Sequence, residues 1–444
     1  MENKRKSLRQ LFIPICLETL CYMLAGMVDT AMLSSVGDEA VGAIGTANTY
    51  INLFIIMFSV ISSGMIAVMT QYIGAGKNGV AYQARQVGVG FNAVIGIILS
   101  LFLFLFADPI VVGVGVAPVL REYTATYIRI VGGGSILSAL IPIFSNYLRA
   151  FGHTKQPMIA AVLSNILNLV LNAIFIWGFQ MGVKGVAIAT VLSKIVNLLI
   201  VLIESKRLVK AKESPERIAN LKVAGQIIQI GLPSAMETAL YNLAMTFIIR
   251  FLNQMDANGI YVTARSYAVT ISHFSFCIGV SLAQANAIIT GWNIGEKKYE
   301  KCDRDTKKAA LLGIVTAIGV AGFFAIFSKP IVGFFTDDPV MIALVGQLLW
   351  IDVVLEIGRV SNLVFGQALK TSGDALFTTI IAAVFMYLCA VGGTYVFGIH
   401  MGWMAAGAYI GLTLDECVRA VCMFLRWKRG KWRSKGLIDT DMAM

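Results

Sequence analysis

Residues 14–22 read PICLETLCY, and residues 233–241 read PSAMETALY. The shared frame is Pro14-x-x-x-Glu18-Thr19-x-x-Tyr22, which returns 219 residues later as Pro233-x-x-x-Glu237-Thr238-x-x-Tyr241. Both copies sit inside long apolar runs. A carboxylate in such a run costs about 2.5–3.5 kcal/mol at mid-bilayer even on a lenient insertion scale. Two acids at matching places predict a duplicated membrane bundle built around buried carboxyls. That is the arrangement of a transporter.

Working outward, apolar stretches of about 20 residues, the length that spans a bilayer, recur along the whole chain. Twelve spans are expected, over 10–34, 46–72, 86–107, 118–149, 156–178, 183–204, 224–253, 258–291, 308–328, 340–369, 375–397 and 402–426. The chain is 57% hydrophobic and 14% charged, with a mean hydropathy of +0.76. These values exclude an ordinary soluble domain and a disordered chain. The period-two alternation of a membrane barrel is absent. The expected fold class is therefore all-α integral membrane, with twelve transmembrane helices.

The repeat extends past its first block. Tyr72-Ile73-Gly74-Ala75-Gly76 answers Gly291-Trp292-Asn293-Ile294-Gly295 at an offset of 219. Pro109-Ile110-Val111 answers Pro330-Ile331-Val332, Pro118-Val119 answers Pro339-Val340, and Leu148-Arg149-x-x-Gly152 answers Leu369-Lys370-x-x-Gly373, all at 221. Six helices per half is an even number, so both halves enter and leave on one face. The expectation is two six-helix bundles related by a parallel pseudo-two-fold repeat, with a cleft between them. The boundaries follow as an N-terminal lobe over 1–204, a cytoplasmic linker over 205–223, a C-terminal lobe over 224–427 and a basic tail over 428–444.

A net charge of +11 would suggest nucleic acid in a soluble protein. Its distribution says otherwise. The basic groups, Lys4–Arg9, Lys206–Lys222, Lys297–Lys308 and Arg426–Lys435, fall at the termini and in alternate loops. The intervening loops carry Asp38, Glu39, Asp256, Asp337 and Asp338, with Lys184 and Lys329 as basic exceptions. Cationic loops mark the cytoplasmic side, so both termini are expected inside a cell membrane. The basic start followed by an apolar run reads as a retained first helix, since no small-residue cleavage site follows. Seven cysteines lack metal spacing and mostly fall inside predicted helices, as small hydrophobes do.

The first helix carries Glu18, Tyr22, Gly26 and Asp29 on one stripe. Glu18 and Asp29 are about 16 Å apart along the axis at 1.5 Å per residue. No base in that helix can pair with either at helical spacing. Both are candidate ion-coupling residues, with interhelical hydrogen bonding as the plain structural alternative. On the fifth helix Asn168 and Asn172 share a face that can point at Asp29, as glue between helices or as cation ligands. In the tenth helix Arg359 can pair with Glu356 three residues away, which leaves Asp352 as the spare acid. In the twelfth, Asp415 and Arg419 can pair while Glu416 points elsewhere. Glu237, Asp352, Glu356 and Arg359 are candidate substrate-cleft residues. Tyr22 and Tyr241 join them through cation–π contacts.

These residues resemble a known family, the multidrug and toxic compound extrusion (MATE) transporters. The likeness rests on Val28-Asp29-Thr30-Ala31-Met32, Gly74-Ala75-Gly76, residues 148–155, Asn168-x-x-x-Asn172 and residues 182–190, and it spans essentially the whole chain. It implies a V-shaped central cleft between two lobes and efflux of organic cations driven by inward H⁺ or Na⁺. Asp29 matches the family's first-helix acid, and Asn168 with Asn172 a polar pair beside it, which makes the three candidate Na⁺ ligands. Some members carry an acid at the position of Asn172, and Arg359 stands where some carry a tenth-helix acid. No catalytic motif is visible, so the chain is expected to be a cofactor-free, monomeric transporter rather than an enzyme, without nucleic-acid partners. The alternative within the same superfamily is a flippase for lipid-linked sugars, which usually has a more cationic cavity.

Overall fold

The computed structural model describes residues 5–211, 214–256 and 258–438, apart from the Asp38 side chain. Lys4 of the first basic group, residues 212–213 of the expected linker and 439–444 of the basic tail lie outside the described residues. Among the described residues there are helices and turns and no strand.

Among the described residues twelve long helices follow the expected spans. They are α1 (Leu8–Ser34), α2 (Asp38–Gly74), α3 (Asn78–Leu105), α4 (Pro118–Gly132 with Ser135–Ala150), α5 (Lys155–Gly178) and α6 (Gly182–Leu208). After them come α7 (Asn220–Met255), α8 (Ile260–Gly295), α9 (Tyr299–Ile326), α10 (Pro339–Thr371), α11 (Ala375–His400) and α12 (Met404–Lys428). Among the described residues nine are long and apolar enough to cross a membrane, and the bent α4 makes a tenth. The other two, α7 and α12, carry intramembrane charge, Glu237 and Arg250 in one and Asp415, Glu416 and Arg419 in the other. The Pro109 and Pro330 blocks of the repeat form short helices, Ala107–Gly113 and Ser328–Val332.

The chain divides into two compact units, one ending at Leu232 and the other beginning at Pro233, a boundary that falls inside α7. Each has its own apolar core. Phe58, Tyr127 and Ile128 belong to the first, and Leu252, Leu348 and Tyr409 to the second.

The repeat blocks turn out to be helix ends. Gly76 (φ +78°) closes α2, with Lys77 N–H donating to the Tyr72 carbonyl at 2.9 Å. In the second unit Lys297 (φ +58°) takes that place, and Lys298 N–H donates to the Asn293 carbonyl at 2.8 Å. A left-handed residue followed by such a bond is a helix C-terminal cap. Position 76 therefore matches 297, an offset of 221 rather than the 219 read from sequence. Ile73-Gly74 then aligns with Ile294-Gly295, and Lys77 with Lys298. The two extra residues accordingly fall between Tyr241 and Asn293. The caps at Gly152 and Gly373 (φ +81° and +97°) agree with 221.

The Gly132-Gly133-Gly134 run bends α4 by 42°. A π-helical turn, Ile128–Gly132, precedes the break, and such turns and glycine pairs are recognised causes of kinks. A Cβ on Gly132 would lie 3.0 Å from Leu103 of α3. The glycines thus let α3 and α4 approach as well as bend.

At the end of α10, Asp374 anchors the C-terminal segment. Its carboxylate, in a residue 1% exposed, accepts from Arg426 Nε at 2.7 Å and Lys435 Nζ at 2.6 Å. Nearby, Trp427 and Trp432 stack 4.1 Å apart. Burial pushes the Asp374 pKa up, but the hydrogen bonds and charges of Arg426 and Lys435 outweigh it and hold the group below the usual carboxylate range. A depressed pKa stabilises the fold above the unfolded value of about 3.9, and that contribution fades as pH falls through the folded value. Asp374→Asn should therefore cost about 2 kcal/mol at neutral pH. In thermal unfolding of detergent-purified protein, the gap between parent and variant should narrow below about pH 4. A gap that stays constant to lower pH would contradict this.

Candidate functional site

In the first unit α1 packs against α5, and this contact builds the Asp29 cluster. Asn168 and Asn172 are four residues apart and so lie one above the other on α5. Asn172 Nδ2 donates to Asp29 Oδ1 at 2.9 Å. Turning the Asn168 amide over places its Nδ2 2.9 Å from Asp29 Oδ1 and 3.2 Å from Oδ2. The three residues that the sequence grouped are thus brought together. Among the described residues, no lysine, arginine or histidine lies within ion-pairing distance of Asp29. Asn172 Oδ1 is buried without a hydrogen-bond partner. A buried orphan acceptor is costly, and this one belongs to the amide that holds Asp29. Beside the cluster an apolar cavity of about 520 Å³ runs between α1 and α5, lined by Leu17, Leu24, Val28, Asp29, Val162 and Ile166.

Glu18 is not a free acid. Arg149 of α4 donates to its Oε1 at 2.7 Å, and the residue is 4% exposed. The expectation of a second unpaired carboxyl on α1 is corrected by a partner 131 residues away. Tyr22 of the same stripe accepts from Asn197 Nδ2 at 3.1 Å, and Asn197 also donates to Ser164. Glu237 repeats the first unit's pattern, with Lys370 Nζ 2.9 Å from its Oε2. The decisive sequence motif therefore encodes two equivalent ion pairs, α1 to α4 and α7 to α10. Glu237 is thus half of an interhelical ion pair.

In the second unit α8, α10 and α12 enclose a network of carboxylates and arginines. Arg359 pairs with Glu356, as the three-residue spacing predicts, and its Nε is 3.7 Å from Glu416. Arg419 grips Asp415 at 2.6 Å and reaches Glu416 at 3.0 Å, while Asn362 donates to Glu416 at 2.9 Å. Glu416 was expected to point elsewhere; it closes the network instead. The helices approach this closely at Gly358, where a Cβ would sit 2.8 Å from the Cys417 backbone nitrogen. Asp352 and Glu356 accept from Ser272 and Ser275 of α8, at 2.7 and 3.0 Å. Asp352 has no cation within ion-pairing distance among the described residues. Tyr241, Asp352 and Arg359 line a cavity of about 120 Å³ together with Arg265, which sequence reading missed. The signal was present: Arg265 is a base inside a predicted span, where every charge is an exception.

The same architecture appears in known proteins. The MatE family model matches residues 14–174 and again 233–396. The chain belongs to the MatE family. The two matched segments begin at the two prolines of the opening motif, so the duplication in MatE is the one described above. Among its relatives, the "uncharacterized transporter YisQ" of Bacillus subtilis is 33% identical, over 98% of this chain and 96% of that one. The "probable multidrug resistance protein NorM" of Thermotoga maritima is 24% identical over 98% and 95%. A solved outward-facing MATE transporter of the MOP superfamily superposes with a TM-score of 0.87 at 22% identity, over 96% of both chains. That likeness carries the MatE fold of twelve helices. This MatE protein is a multi-pass membrane transporter.

Proposed function

We propose that the protein exports small organic cations or drugs across the plasma membrane in exchange for inward H⁺ or Na⁺. Transport proceeds by alternating access between its two lobes, in a monomer whose termini are both cytoplasmic. The observation that carries this reading is Asp29, a half-buried carboxylate held by asparagine amides with no permanent counter-charge among the described residues. An arginine partner would fix its charge and remove it from exchange. Amides orient it and leave its charge to be met by whatever cation arrives.

In this scheme the coupling ion takes Asp29 from the outside and cancels its attraction for a bound cationic solute, which leaves. A ligand shifts a conformational equilibrium only by its different affinities for the two states, and the acid supplies that difference. Asn172 Oδ1, buried and unpaired, accepts a hydrogen bond from a protonated Asp29 or ligates Na⁺ with it. The apolar cavity next to Asp29 suits the hydrocarbon part of a lipophilic cation. The multidrug names of several relatives point the same way.

Proteoliposomes carrying only a proton gradient, and then only a sodium gradient, test the proposal. Uptake of a fluorescent lipophilic cation should be driven by one or both. Transport indifferent to both gradients would refute antiport.

A further inference from the structure

The ion network of the second unit leaves one positive and one negative group over. Arg359 is taken by Glu356 and Glu416, and Asp415 and Glu416 share Arg419. Asp352, 3% exposed, keeps among the described residues only the Ser272 hydroxyl, which donates to Oδ2 at 2.7 Å. Arg265 has no carboxylate within ion-pairing distance among the described residues. Its Nη2 makes a weak contact, 3.5 Å to Met245 Sδ, and its Nε is buried with no partner. Both groups line the same cavity of about 120 Å³, yet they do not pair with each other.

The charge of Arg359 reaches Asp352 without pairing with it, and Arg265 is half-buried; a charge so incompletely compensated is still costly to take out of water. Two opposite ones on the walls of a single cavity would ordinarily collapse into a salt bridge. Here their helices hold them apart. Arg265 projects from α8 and Asp352 from α10. The α8 face runs Arg265, Val269, Ser272, Phe276 at steps of four, three and four, so Arg265 stands about two turns from the serine that holds Asp352. The volume exceeds that of one water several-fold and admits a molecule of a few heavy atoms. Tyr241, His273, Phe276 and Tyr409 also line it, and aromatic rings attract a cationic nitrogen.

We propose that this cavity is a binding subsite for a small amino-acid-like zwitterion, its carboxylate on Arg265 and its ammonium on Asp352. The guanidinium offers a planar fork that matches a carboxylate. The free Asp352 oxygen accepts from the ammonium. Larger compounds with an amino-acid end would seat that end here. The subsite is separate from the Asp29 cluster and its test needs no ion gradient. Failure of this proposal therefore leaves the exchange reading standing, and failure of exchange leaves this one.

The test is equilibrium binding of radiolabelled glycine, alanine and β-alanine to the full-length protein purified in detergent. At least one should bind saturably. Arg265→Gln and Asp352→Asn should each weaken it about tenfold or more, while Arg265→Lys retains part of the affinity. Acetate and methylammonium should each compete, both more weakly than the zwitterion. If either variant fails to fold, competition by acetate in the unaltered protein decides the anionic half and methylammonium the cationic half. Absence of saturable binding by all three probes overturns the proposal. So does binding that ignores both substitutions, or methylammonium that binds as tightly as glycine.

Discussion

Asp29→Asn should abolish gradient-driven export, to below about a tenth of the parent rate in proteoliposomes, while the protein still folds. Asparagine is nearly isosteric and can still hydrogen-bond Asn172, whose Nδ2 reaches the aspartate at 2.9 Å. It removes only the charge and the titratable proton. A difference in cation affinity between two conformations is what drives exchange, and an amide supplies little of it. Counterflow of labelled against unlabelled substrate, with no gradient, separates loss of coupling from loss of binding. Survival of counterflow with loss of driven export would place Asp29 in coupling. Full driven export in the variant would end the antiport scheme at this residue. Asn172→Ala should give a milder defect, since it removes the donor and the orphan acceptor together.

Arg149→Met should destabilise the protein by about 3–5 kcal/mol, because it strands Glu18 as an unpaired buried carboxylate. Glu18→Gln alone should cost less, since it leaves the more accessible arginine without a partner; the Arg149 side chain is 16% exposed against 6% for Glu18. The double variant Glu18→Gln/Arg149→Met should recover much of the loss. Replacing both members of a buried pair is often close to neutral. Thermal unfolding in detergent gives the three shifts, and the double-mutant cycle gives the coupling. The same cycle at Glu237 and Lys370 should report a coupling of the same sign. If the double variant folds well yet loses driven export, Glu18 serves transport as well as structure.

The sequence made the twelve spans, the duplication and the Asp29 cluster legible, each for a physical reason. Apolar length is a property of one segment, so hydropathy finds it. Asn168 and Asn172 share a face because four residues make about one turn, and their match to Asp29 needed only the two helices to touch. The pairing of Glu18 with Arg149 did not follow, although both lay in repeat blocks. Their separation of 131 residues is bridged only by tertiary packing, and helical spacing says nothing about which neighbour a face meets. Glu416 was misjudged for the same reason. Its partners Asn362 and Arg359 belong to another helix, brought close where Gly358 removes a side chain. The register of the second repeat block slipped by two because composition resembles itself at several offsets. The left-handed residues at 76 and 297 fix it.

The lone carbonyl oxygen of Asn172 has a use at the bench. An amide C=O that gains a hydrogen bond or a metal contact lowers its stretching frequency. Isotope-edited infrared difference spectra, taken as Asp29 is loaded and unloaded, would show that band move with the ion's arrival. The transporter thus carries a vibrational label at the place where the driving ion is expected to stop.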